Sequence, residues 1–151
     1  MKRDVEEGRI MSDSLEFKYD VDGEDFTRVG HASTDIKKKL KMIGIAPDIV
    51  RRVSIAIYEG EINMVIHAYG GEITVEISED DIKMVLKDKG PGIPDIEKAM
   101  TAGYSTASEN VRNLGFGAGM GLPNMKKYTD SIDIETEIGV GTTVTMHVHL
   151  T

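Results

Sequence analysis

Apolar and polar positions along the chain follow two periods, and glycine pairs and short polar runs mark the changes between them. Leu15, Phe17, Tyr19 and Val21 alternate with charged residues, the period-two signature of a half-buried strand. From Asp25 to Ile43 the spacing becomes helical and ends before Gly44. Pro47 suits the first turn of a second, long helix, predicted to reach about Tyr69 and to stop at Gly70-Gly71. Ile73, Val75 and Ile77 then alternate as a strand, Asp80-Asp81 makes a turn, and Ile82 to Leu86 returns as the second arm of a hairpin. A short helix is expected near Pro94, followed by a polar, glycine-rich stretch from about Ala102 to Gly117. A helix from about Met120 to Thr129 leads into two closing strands, Ser131–Thr136 and Thr142–Leu150, around the turn Gly139-Val140-Gly141. Residues 1–13 lack periodicity and read as a loose tail ahead of one domain over 14–151. This order predicts an α/β fold, an α+β two-layer sandwich whose mixed sheet carries helices on one face.

Composition narrows the classes. At 151 residues the chain has room for a single domain with its own core. Its 40% apolar and 29% charged residues are a soluble globular balance. No apolar run approaches the roughly 20 residues of a membrane helix, and the charged N-terminus is not a secretory signal. Without cysteine there is no disulfide framework and no thiolate zinc site, and a cytoplasmic setting fits. The net charge of −8 repels phosphate backbones, which argues against nucleic acid as a partner. A local pocket with a metal ion can still hold a nucleotide.

The second helix carries the apolar set Val50, Val53, Ile57, Ile62, Val65 and Ile66, and against it stand Glu59, Asn63 and His67. Residues four apart on a helix are rotated by only about 40°, so these three form one polar stripe. The stripe is either a solvent-facing edge or a pair of working groups. In the second case Asn63 offers a neutral oxygen to Mg²⁺, and Glu59 accepts a proton.

Three glycine clusters follow. Asp88-Lys89-Gly90-Pro91-Gly92 comes directly after a strand. It is either a tight turn or a place where glycines admit a flat ligand whose exocyclic amine meets the carboxylate. Gly115-Phe116-Gly117-Ala118-Gly119-Met120-Gly121 runs into a helix. It lacks the Walker ending, and reads equally as a flexible loop or as a phosphate cradle at a helix N-terminus. Gly139-Val140-Gly141-Thr142 taken alone is a hairpin turn. All four features in this order form a joint pattern that independent chance explains poorly.

At these residues the chain resembles the GHKL (Bergerat-fold) ATPase superfamily. The run from Ala56 to Tyr69, the segment Gly103-Tyr104-Ser105-Thr106, the glycine run and Leu122-Pro123 are most similar to its anti-sigma-factor serine/threonine kinase branch. The resemblance covers roughly residues 14–150. It implies ATP and Mg²⁺ as cofactors, with Asn63 as metal ligand and Glu59 as general base. It further implies Asp88 on the adenine amine, Gly90 and Gly92 shaping that end, and Thr142 helping to hold it. Gly117, Gly119 and Gly121 would bracket the phosphates, and residues from about 101 to 118 would form a lid. In that lid Ser105, Thr106 and Arg112 are candidate phosphate contacts, although Arg112 reads equally as a solvated loop residue.

The implied function is a protein serine/threonine kinase that phosphorylates a small, STAS-like antagonist protein in a partner-switching pathway. A sigma factor and a second copy of the chain are further candidate partners, the dimer being common in that branch and without a located interface here. The alternatives are an anti-sigma binding module with ATP as a conformational switch, or a detached histidine-kinase ATPase domain. Against the last, the residues ahead of the second helix show no two-helix dimerisation unit with a phosphoacceptor histidine. His31 reads as a surface residue.

Overall fold

The computed structural model describes residues 9–11, 14–23, 26–67, 70–100 and 121–150. The strands are β1 (Arg9–Met11), β2 (Ser14–Asp22), β3 (Gly70–Ile77), β4 (Asp81–Asp88), β5 (Ser131–Glu137) and β6 (Gly141–His149). The helices are α1 (His31–Met42), α2 (Pro47–His67), α3 (Ile96–Ala99) and α4 (Gly121–Tyr128). The strands form one sheet in the order β1-β2-β3-β4-β6-β5.

The alternation in each strand puts one set of side chains on the helix side, and the register lines these sets into rows across the sheet. Leu15, Ile77, Ile82 and Val148 make one row, and Phe17, Val75, Met84, Met146 and Ile132 the next. Tyr19, Ile73, Leu86, Val144 and Ile134 make the third. From α1 and α2 the buried residues Ile36, Leu40, Val50, Val53, Ala56 and Ile57 close over these rows as one core. Their removal from water is the main favourable term holding the two layers together. Among the described residues no helix is long and apolar enough to cross a membrane.

Every neighbouring pair in the sheet is antiparallel, which corrects the mixed sheet expected from the element order. Two helices, not one, separate β2 from β3, so the chain re-enters the sheet from the opposite end. The strands β4 and β5 do run the same way, as implied by their pairings with β6, but β6 lies between them. The helix expected over Asp25–Ile43 is also divided. Phe26–Arg28 forms a 3-10 turn, and Gly30, at φ 99°, breaks the chain before α1. Such a φ is strained for any residue with a Cβ. Arg9–Met11, expected within a loose tail, pairs with Ser14–Glu16 as the edge of the sheet.

Gly30 leaves α1 without a side-chain cap of its own. Glu61 of α2 supplies one from across the helix pair. Its carboxylate is 2% exposed and accepts the amides of Gly30 and Ala32 at 3.1 Å and of Ser33 at 2.9 Å. Those are the orphan donors at the positive end of a helix, so the buried charge is satisfied by groups that need an acceptor. Glu61→Ala removes the acceptor and leaves these donors buried. It is expected to cost about 3 kcal/mol, a fall of about 8 °C in the thermal midpoint by calorimetry. An unchanged midpoint would contradict this role.

Candidate functional site

The apolar rows of the sheet give way to a polar one at the C-terminal end of β4. Val21 stands opposite Gly71, Gly71 opposite Asp88, and Thr142 opposite Thr136. Asp88 lies two residues beyond buried Leu86, so the strand period turns it to the same helix-covered face. Gly71, its partner on β3, is pressed on β4, and a Cβ there would collide with the Lys87 carbonyl.

Asp88 ties the first and third glycine clusters together. Its Oδ1 accepts the amides of Gly90 at 2.9 Å and Thr142 at 3.1 Å. Among the described residues nothing donates to Oδ2. Burial pushes the carboxyl above its ordinary value, although the two amides favour the charged form. The Thr142 hydroxyl, buried with its residue, lies 3.0 Å from that of Thr136, which accepts the Ile93 amide at 2.8 Å. Gly92 takes φ 87°, and a Cβ there would lie 2.9 Å from the Glu137 carbonyl. The turn is thereby docked on the β5–β6 hairpin, with the Gly139 amide donating to Pro91 O at 2.9 Å. A free carboxylate oxygen beside paired hydroxyls, at the mouth of a glycine turn, suits a ligand that offers an amine.

The second group lies where α2, α4 and β4 meet. Gly60 lets α2 come close enough that a Cβ there would collide with Leu86 of β4, and it also faces Met125 of α4. One residue before it, Glu59 is partly buried and accepts the side-chain amide of Asn124 at 3.3 Å. Burial raises the Glu59 carboxyl above its ordinary value, and the Asn124 amide opposes this. One turn on, Asn63 lies against the first residue of α4, and a Cβ on Gly121 would sit 2.9 Å from Asn63 Oδ1. Only a bare Cα permits that approach. Arg52 of α2 fastens the far end of α4, with Nε donating to Tyr128 O at 3.0 Å and a guanidinium nitrogen 3.2 Å from Asp130.

Asp88, Gly90, Gly92 and Thr142 therefore form one constellation, and Glu59, Asn63 and Gly121 a second, linked through Gly60 and Leu86. The His67 side chain, Ser105, Thr106, Arg112, Gly117 and Gly119 lie outside the described residues. His31 is exposed at the start of α1. Among the described residues no group of three His, Asp or Glu could hold a metal.

Sequence reasoning gave no role to Thr136, Asn124 or Glu61. Thr136 was within reach once the hairpin register was written out around Gly139-Val140-Gly141. Glu61 sits four residues from both Ile57 and Val65, a carboxylate inside the apolar stripe, and that was a usable signal. Asn124 carried no signal, because its partner depends on how α4 packs against α2.

Residues 48–151 match the family described as histidine kinase-, DNA gyrase B-, and HSP90-like ATPase. The chain is 33% identical over 108 residues to the serine/threonine-protein kinase RsbT of Bacillus subtilis, covering 69% of this chain and 75% of that protein. It is 31% identical over 137 residues to the anti-sigma F factor of Clostridium beijerinckii, covering 87% and 89%. A solved structure of the RsbU and RsbW domains of Rv1364c from Mycobacterium tuberculosis superposes with a TM-score of 0.63 at 15% identity, a likeness of fold. The overlap takes in 89% of this chain but about a third of the mycobacterial one, 32%. The matched span takes in α2 from Asp48 onward, β4, α4 and β6, the elements from which both constellations are built. The chain belongs to the histidine kinase-, DNA gyrase B- and HSP90-like ATPase family, among relatives that include RsbT and the anti-sigma F factors.

Proposed function

We propose that residues 14–151 form one ATP-binding domain acting as a serine/threonine protein kinase on a small antagonist protein, in bacterial partner switching. The observation that carries this reading is the α2–α4 contact. There a partly buried carboxylate with raised basicity, Glu59, stands one turn from Asn63.

Asp88 Oδ2 accepts the adenine amine, Thr142 and Thr136 line that end, and Gly90 and Gly92 shape it. Gly117, Gly119 and Gly121 bracket the phosphates, with Ser105, Thr106 and Arg112 as lid contacts. Asn63 is a ligand for Mg²⁺, which when bound neutralises phosphate charge and aligns the oxygens. Glu59 takes the proton of the acceptor hydroxyl as its oxygen bonds to phosphorus, and ADP leaves. The protein otherwise positions groups, as phosphoryl transfer requires. Relatives named anti-sigma F factor support a sigma subunit as second partner, and we place the chain in the cytoplasm as a homodimer.

The test is transfer from γ-labelled ATP to an antagonist captured from the native cell in the presence of ATP or ADP. Labelled phosphoserine or phosphothreonine, lost with Glu59→Ala, is the expected result. Tight sigma binding without transfer under any condition would replace this reading with a nucleotide-gated binding module.

A further inference from the structure

We propose that Asn124 is the positioning residue for Glu59, holding one carboxylate oxygen so that the other faces the acceptor. This rests on the reading of Glu59 as the base. The contact is between Asn124 Nδ2 and Glu59 Oε2, at 3.3 Å. Among the described residues it is the one partner that Glu59 has.

The chemistry of the pair matches the task. A lysine or arginine in this place would hold the carboxylate equally well, but its charge would weaken the base. An amide orients without neutralising. Among the described residues, burial raises the Glu59 carboxyl and the Asn124 amide opposes this, and no charged side chain contributes. The amide therefore restrains a basicity set by burial, and keeps the charged form accessible.

The support behind Asn124 is rigid. Its neighbours Leu122 and Met125 are buried in the core, at 8% and 1% exposure. Arg52 clamps the last turn of the same helix to α2. The first residue of that helix, Gly121, is pressed on Asn63. One short helix thus sets both working groups of α2, the base through Asn124 and the amide through Gly121. A displacement of about 1 Å in such a support is enough to slow a reaction without touching the reactants.

The alternative is that the contact only glues two helices together, and the experiment separates the two. The Glu59 carboxyl carbon is followed by ¹³C NMR titration in the wild type, in Asn124→Ala and in the near-isosteric Asn124→Asp. Thermal midpoints and phosphate release from Mg-ATP are measured alongside. Asn124→Ala is expected to move the Glu59 midpoint up by about half a pH unit and to lower kcat about tenfold, with KM for ATP within twofold. Asn124→Asp, with a like charge beside the base, is expected to move it further upward. In a Glu59→Gln background, Asn124→Ala should cause no further loss of turnover. A Glu59 midpoint that stays put in both variants overturns the proposal, whatever the thermal midpoints do. If Glu59→Gln itself turns over like the wild type, the base assignment falls instead.

Discussion

Asp88→Asn is expected to weaken ATP binding by about 10²–10³-fold while leaving the fold in place. The substitution nearly preserves shape. The amide oxygen of Asn can keep both backbone donors, Gly90 and Thr142, so the glycine turn stays docked on the β5–β6 hairpin. The change falls on the other atom. An acceptor oxygen becomes an NH₂ donor facing the donor amine of adenine, and two donors cannot satisfy each other. The same logic predicts that the wild type rejects GTP, whose ring carries a carbonyl where adenine carries its amine. Burial raises the Asp88 carboxyl above its ordinary value. ATP affinity should therefore fall on acidification at a higher pH than an exposed aspartate would dictate, because protonation removes the acceptor. Calorimetric titration with ATP and GTP reads all three effects, and equal ATP affinity in Asp88→Asn would remove Asp88 from the site.

Glu59→Gln is expected to lower phosphotransfer by about 10²–10⁴-fold, the usual span for losing a general base. It should do so without loss of stability. With its pKa raised in the fold, Glu59 binds a proton more readily native than unfolded. Stability is then lost as pH rises from the ordinary value through the raised one, and at neutral pH the charged, partly buried group still costs the native state. Gln carries no such cost. The variant should melt no lower than wild type near pH 7, and any gain should vanish at acidic pH, where Glu59 is protonated in both states. Carboxylates whose charge is costly to keep cluster at functional sites. Glu61 is the contrast, two residues away and satisfied by three amides.

The sheet was legible because each strand announces its own face. Ile73, Val75 and Ile77, or Val144, Met146 and Val148, require no knowledge of neighbours to be read as inward. The candidate site was legible for a related reason. Glycines at Gly92 and Gly121 mark places where backbone approaches something closely, and Glu59 and Asn63 stand out on an apolar helix. What the chain could not announce are properties of packing. The break at Gly30 is maintained by a carboxylate 31 residues away. The antiparallel neighbours follow from β6 inserting between β4 and β5, which no local period encodes. Asn124 became visible only when α4 was seen against α2.

The Asp88 end and the Asn63 end are expected to hold opposite ends of one nucleotide, and NMR of the labelled chain with Mg-ATP, then Mn-ATP, reads both ends at once. The prediction is adenine-proton contacts to the Thr142 methyl together with selective paramagnetic broadening of the Asn63 side-chain amide. Adenine contacts at Thr142 with an Asn63 amide untouched by Mn²⁺ would contradict it.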